Sequence, residues 1–316
     1  MPKRLRCNSV CHPLQHLLLR WLLDNVCNTL QIRVAKVLLS SVVPVLRWAG
    51  GKRRLVRKLR LLMPANWSRY IEPMAGSAAL FFDLAPEKAI LADLNPDLMN
   101  FYRVLRDDTI RLVDRLRYLR ASKKTYYRMR DMRPRTKLDR AIRFAYLNRL
   151  CWNGLYRVNK EGEFNVPIGD RLPKQLWKIK EFQRAAQILA SADLITGDFR
   201  ATLRRAKGED FVFLDPPYPR GAPVGNSFNR YCSGFFSLRD HERLGRAVRS
   251  LDERGVATMV LLASSKSILS YYPNSFQRRR LRSKSLISCD SSSRRFVDEC
   301  ILVNYDVPEH DSSELP

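Results

Sequence analysis

The strongest constraint in this chain is the run Phe211-Val212-Phe213-Leu214-Asp215-Pro216-Pro217-Tyr218. Four consecutive apolar residues suit a strand buried on both faces, the situation of a central strand in a parallel sheet. The run ends at Asp215, and open α/β sheets bind ligands beyond the carboxyl ends of their strands. Pro216 and Pro217 then fix φ and remove two backbone donors, so their carbonyls stand as rigid acceptors. Tyr218 follows directly. The ordinary alternative is a strand that stops in a proline-rich turn, which is common for a lone Pro-Pro and much rarer for an apolar run feeding this tetrad.

The tetrad suits an exocyclic amino group. Such an amine is a poor nucleophile because its lone pair is delocalised into the nucleobase ring. Hydrogen bonds from its two N–H groups to the Asp215 carboxylate and the Pro216 carbonyl favour the tetrahedral form. That form can attack a sulfonium methyl in line. Tyr218 offers a face on which an extruded base can stack.

The surrounding pattern supplies an α/β frame. Tyr70-Ile71-Glu72 reads as a buried strand, residues 73–76 as a turn, residues 78–82 as a helix and residues 89–92 as the next strand, ending at Asp93. Strand, small-residue turn, helix and strand make a βαβ unit. Leu98, Phe101, Tyr102 and Leu105 are spaced as a helix. Residues 111–190 are rich in Arg and Lys and helical in period, with Leu138, Ile142, Ala145 and Arg149 on one face. The frame resumes at residues 211–214 and 257–262, and residues 276–281 and 300–305 are placed to pair as a closing hairpin. The expected organisation is a catalytic domain over residues 44–110 and 196–308, a helical insertion over 111–195, an extension over 1–43 and a frayed tail over 309–316.

Charge indicates the partner. Lys plus Arg number 57 against 31 Asp plus Glu, a net charge of +26, and the isoelectric point is near 10.3. Solubility needs only about 2 to 8 net charges on a small domain, so a polyanion is the expected partner. Seven cysteines include no C-x-x-C pair and the four histidines are scattered, so no metal site is expected. An odd, dispersed set of cysteines suits a reducing cytosol. Near the N-terminus, Arg20 and Asp24 interrupt the apolar stretch and no A-x-A-like site follows. No run reaches the roughly 18 uncharged residues of a membrane span. Residues 14–40 read as one or two amphipathic helices, or as sequence upstream of a start codon placed too early. A cytoplasmic, monomeric protein without a membrane partner is expected.

Three further motifs complete the reading. In Leu46-Arg47-Trp48-Ala49-Gly50-Gly51-Lys52 the first glycine of a P-loop is missing and Arg53 stands where Ser or Thr is needed, so this is not a phosphate loop. Gly50 and Gly51 permit close backbone approach, Trp48 offers a π face to a sulfonium or an adenine ring, and Lys52 is a candidate to meet a carboxylate. The bland reading is a turn with a core Trp. Glu72-Pro73-Met74-Ala75-Gly76-Ser77-Ala78 puts Pro73 and Gly76 in a small-residue turn after the first strand, and Asp93, ending the second, is placed to bind a ribose hydroxyl. Residues 153–167 flank Lys160-Glu161-Gly162 with alternating residues and read as a hairpin. There Arg157, Asn159 and Lys160 are candidates for contacting bases or phosphates, unless the hairpin is an ordinary exposed one.

In this order the motifs resemble the Dam-like (D12 class, group alpha) DNA adenine-N6 methyltransferases, from about residue 46 to residue 305. Residues 46–52 resemble the family's W-A-G-G-K motif, 72–78 its P-F-x-G-x-G-type motif, 153–167 its target-recognition hairpin, 215–218 its D-P-P-Y motif and 294–299 its closing segment. Met74 and Ala78 replace the family's usual Phe and second Gly.

The resemblance implies a Rossmann-like mixed sheet with an inserted helical target-recognition domain. It implies that Trp48, Lys52, Asp93 and Asp215 contact S-adenosylmethionine and that residues 215–218 hold adenine flipped from double-stranded DNA. It also implies a prokaryotic or phage setting, nucleoid association and a possible restriction-modification role, with GATC suggested as the target. Competing readings are cytosine-N4 methylation, which Ser in place of Asp215 would signal, an RNA or protein-glutamine enzyme, which Asn would signal, and a DNA-binding protein whose methylation has decayed.

Overall fold

The computed structural model describes residues 42–217, 230–231, 234–284 and 296–307. The expectations for residues 1–41, Tyr218 and the tail over 309–316 lie outside the described residues. Val42 is already buried, so the packed chain begins before the boundary set at residue 43.

A seven-stranded mixed sheet organises the chain. Strands β1 (Arg69–Glu72), β2 (Ala89–Asp93), β3 (Ala192–Thr196) and β4 (Asp210–Leu214) are parallel, and Ala257–Ala263, numbered β7, continues the parallel set beside β4. Two short strands, β5 (Arg230–Tyr231) and β6 (Gly234–Phe235), pair with each other outside that sheet. Strands β8 (Gln277–Lys284) and β9 (Phe296–Val303) close the main sheet as the antiparallel hairpin foreseen in the sequence. The strand order is β3-β2-β1-β4-β7-β9-β8.

Central strands are apolar on both faces for the reason the sequence suggested: β4 is buried at every position. Edge strands differ. β8 exposes Arg278, Arg279 and Arg280, a charged edge that resists pairing with another chain. β3 reads Ala-Asp-Leu-Ile-Thr and is buried only at Ala192. Its apolar signal is correspondingly weak, and the insertion boundary placed at residue 195 cuts through this strand.

Ten α-helices are found among the described residues. The catalytic frame contributes α1 (Val56–Leu61), α2 (Ala79–Leu84) and α3 (Pro96–Asp107). Helix α3 starts where the Asn95 side chain accepts from the backbone of Asp97 and Leu98, with Pro96 in its first turn, a local start signal of the strongest kind.

The basic segment forms α4 (Thr109–Arg117), α5 (Lys123–Asp131), α6 (Lys137–Leu150) and α7 (Ile179–Leu189). It is not a detached module, because residues 41–316 form one compact unit. Phe101 of α3 packs on Phe144 of α6 at 5.8 Å between ring centroids and on Phe182 of α7 at 6.4 Å. Beyond β3 follow α8 (Phe199–Leu203), α9 (Leu238–Glu253), opened by a Ser237/Asp240 capping box, and α10 (Lys266–Leu269).

The order sets the position of the site. From β1 the chain moves outward through β2 to β3, then returns to lay β4 on the other side of β1. Where the direction reverses, the connections after β1 and β4 diverge, and the crevice between them is where open α/β sheets bind ligands. Glu72 ends β1, Asp93 ends β2 and Asp215 follows β4, so three carboxylates arrive at one edge.

Candidate active site

Asp215 is anchored by Lys52, whose ammonium it shares with Glu299. Lys52 Nζ lies 3.1 Å from Asp215 Oδ1 and 3.5 Å from Glu299 of β9. The side chains of Lys52 and Glu299 are 11% and 4% exposed, that of Asp215 20%. Of the two carboxylates that share Lys52, Asp215 is therefore the one that reaches the crevice. Burial pushes the Asp215 carboxyl up to about 6; Lys52 opposes the rise and Glu299 adds to it. Pro216 is buried and Pro217 half-buried, so packing adds to the fixed φ of each ring.

The turn after β1 is shaped by close approach. Gly76 has φ +47°, and a Cβ there would lie 2.7 Å from the Trp48 ring. Its N–H donates to Asp93 Oδ2 at 3.0 Å, and its carbonyl accepts from the Tyr102 hydroxyl at 2.7 Å. Asp93 Oδ1 accepts from Asn95 N at 2.9 Å. Asp93 is half-buried; burial raises its carboxyl, and the backbone N–H groups of Asn95, Gly76 and Leu94 oppose the rise. A carboxylate has about four lone-pair sites, so with three backbone N–H groups on it one remains for a hydroxyl donor. Leu94, beside it, is 60% exposed and offers an apolar face at the crevice mouth. Pro73 is buried beneath the turn.

Ala78 occupies the left-handed region (φ 51°, ψ 42°), where the family pattern has Gly. The substitution keeps the backbone path at the cost of some strain. Met74 is half-buried and packs against the core cluster.

Glu72 is the site residue whose role sequence reasoning missed most clearly. It is 3% exposed, and the Tyr70 hydroxyl donates to its Oε2 at 2.9 Å. Burial raises this carboxyl well above the usual range, with Asp215 and Asp93 adding to the effect and the Tyr70 hydrogen bond opposing it. Glu299 was also missed as a site residue. Both lie in segments the sequence singled out, but the role of each follows only from the sheet register: Glu299 sits opposite Ala263 at the end of β7.

Trp48 joins the site to the basic segment. One face lies on Tyr156, with centroids 6.1 Å apart and planes 20° from parallel. The Tyr156 hydroxyl donates to Asp97 at 2.9 Å, and Arg140 pairs with Asp97 at 2.8 Å. Asn148 accepts from Arg47 N at 2.9 Å and donates to Arg47 O at 2.6 Å. The face assigned to a ligand by sequence reasoning is thus partly taken by the protein.

Residues 153–167 do fold back on themselves. Val158 bridges Phe164, Asn159 N donates to Glu163 O at 2.8 Å, and Gly162 takes φ +79° at the turn. Two of the three predicted DNA contacts serve the hairpin itself. Arg157 Nε donates to Asn165 Oδ1 at 2.7 Å, and the Asn159 side chain accepts from Glu163 N at 2.8 Å. Lys160 is exposed at the tip.

Among the described residues no group of three or more His, Cys, Asp or Glu is placed to hold a metal ion, and no helix is long and apolar enough to cross a membrane. Acid-tipped parallel strands around a switch-point crevice, with a small-residue turn after the first and Asp-Pro-Pro after the fourth, define a Rossmann-like methyltransferase using S-adenosylmethionine. Residues 48–286 match the D12 class N6 adenine-specific DNA methyltransferase family, and the chain belongs to it.

Its relatives include the type II methyltransferase M1.LlaDCHI of Lactococcus lactis subsp. cremoris, 34% identical over 83% of this chain and 95% of that protein. The type II methyltransferase M.MjaIII of Methanocaldococcus jannaschii is 32% identical over 84% and 100%. A DNA adenine methylase of Vibrio cholerae is 30% identical over 81% and 94%.

Proposed function

We propose that this chain methylates N6 of an adenine extruded from double-stranded DNA at a defined sequence, working as a cytoplasmic monomer with Asp215 at the centre of the reaction. The observation that carries the reading is the placement of Asp215 and Pro216 at the switch-point edge, with Lys52 fixing one carboxylate oxygen.

The crevice fits S-adenosylmethionine by its donor set. Asp93 retains an acceptor site for a ribose hydroxyl, Leu94 offers an apolar face, and the carboxylates of Asp215 and Glu299 provide negative charge for a cation. When bound, the cofactor supplies the electrophilic sulfonium methyl. The protein's own residues do the rest. The second Asp215 oxygen and the Pro216 carbonyl accept the two N–H groups of the amine, which draws its lone pair out of conjugation. Tyr218 supports the extruded ring. Trp48, wedged over Gly76, holds in place the turn that would face the cofactor.

Lys160 and the wider excess of positive charge meet the phosphates, which position the duplex without reading it. Arg157 and Asn159 contribute by fixing the hairpin that presents Lys160.

Purified protein incubated with labelled S-adenosylmethionine and duplex DNA should yield N6-methyladenine. Methylation-sensitive sequencing of host DNA after expression should return one short motif. Tight cofactor binding with no transfer to any DNA would sink the proposal.

A further inference from the structure

Asp215 is not alone on Lys52. Lys52 alone would neutralise Asp215, yet its ammonium is shared with a second carboxylate at 3.5 Å. Glu299 is 3% exposed, whereas Asp215 is the member of the trio that opens to the crevice. Glu299 therefore acts on a substrate only through its neighbours. Its place is fixed by β9, where it lies opposite Ala263 on one side and Leu281 on the other. A buried carboxylate is retained at a cost in desolvation, and an apolar residue would pack there more cheaply.

We propose that Glu299 is a positioning residue for methyl transfer: it holds Lys52 between two carboxylates, so the trio keeps one net negative charge and one Asp215 oxygen stays open to the acceptor amine. The inference rests on the assignment of Asp215 above. With Glu299 in place, Lys52 orients Asp215 without cancelling it. Without Glu299, Lys52 pairs with Asp215 alone, and the carboxylate that should accept an N–H is consumed by the ammonium.

The charged and titratable groups around Asp215 come from each packed element: Lys52 from the N-terminal loop, Glu299 from β9, and Glu72 with Tyr70 from β1. Glu299 works to raise the Asp215 carboxyl and Lys52 to lower it.

The test is Glu299→Gln in the full-length protein, with kcat/KM for methyl transfer followed against pH and cofactor affinity followed by calorimetry. The plateau kcat should fall by about tenfold or more, as outer partners of ligating groups commonly cost. The acid limb of kcat/KM should move to lower pH, because removing a like charge lets Asp215 ionise more readily. A purely structural role would lower the plateau and leave the limb in place. Glu299→Asp should restore most of the plateau. In a Lys52→Met background, Glu299→Gln should add little further loss, since the two act through one contact.

Wild-type kcat and an unmoved limb in Glu299→Gln would overturn the inference. So would full additivity with Lys52→Met. If Glu299→Gln does not fold, the limb of Glu299→Met decides: a move toward lower pH supports the inference and a wild-type limb with wild-type kcat overturns it. Asp215→Asn separates the two levels. Turnover surviving in Asp215→Asn sinks the site itself, whereas its loss combined with wild-type behaviour of Glu299→Gln sinks only the positioning role.

Discussion

Replacing Lys52 by Met removes the ammonium 3.1 Å from Asp215 while keeping most of the side chain's volume. At that separation and an effective dielectric of about 20, the pair attraction has a ceiling of about 5 kcal/mol. Glu299 shares the same ammonium, so less than the ceiling falls to Asp215. Opposite charges at this range commonly move a carboxyl by about one to three pH units. The Asp215 carboxyl already stands at about 6 in the presence of Lys52. Without it the two carboxylates face each other and compete to stay protonated, so the acid limb of kcat/KM moves upward.

For a move of about two pH units, the ionised fraction at pH 7.5 falls from about 97% to about a quarter, a loss of about fourfold that is regained near pH 9.5. Any contact between Lys52 and the cofactor adds a loss that does not vary with pH. The assay is initial-rate methyl transfer to saturating duplex DNA with limiting S-adenosylmethionine, from pH 5.5 to 9.5. An identical acid limb in wild type and Lys52→Met, or a loss by the same factor at every pH, would refute the electrostatic coupling.

Other outcomes follow from the same geometry. Asp215 has its folded-state carboxyl raised from 3.8 to about 6, so ionising it costs the folded state above about pH 6 and costs nothing below about pH 4. Asp215→Asn should therefore abolish transfer yet raise the unfolding free energy at pH 8 by up to about 3 kcal/mol, the gain fading between pH 6 and 4 in denaturant titrations. A destabilised Asp215→Asn at pH 8 would contradict this. Gly76→Ala forces a Cβ into the Trp48 ring at a positive φ and should cost about 1–3 kcal/mol, with weaker cofactor binding by calorimetry. Ala85 closes α2 in the left-handed region (φ 45°) while half-exposed, so Ala85→Gly should stabilise by about 1 kcal/mol in thermal unfolding without changing kcat. Lys160→Ala should weaken DNA binding and reduce the slope of log affinity against log salt by about 1.

What the sequence determined by itself is local and periodic. The apolar run into Asp215, the small-residue turn before Gly76, the apolar strand ending at Asp93 and the helical period from residue 137 onward are each written in adjacent residues, and each became the element it suggested. The net charge of +26 likewise needs no fold to be read.

Edge strand β3 was lost because one covered face leaves too few apolar positions to show a pattern. Residue type marked Arg157 and Asn159 as candidates for DNA, but only the folded hairpin shows that both also hydrogen-bond within it. Tertiary structure alone decided how the carboxylates divide their work. Lys52, Asp215 and Glu299 lie on three separated segments, and only the antiparallel return of β9 beside β7 brings Glu299 to the edge where Asp215 waits. Charge coupling falls steeply with distance and rises with burial. The chemistry of Asp215 is therefore set by neighbours remote in the chain, whereas its position at the tip of β4 was fixed by the four apolar residues before it.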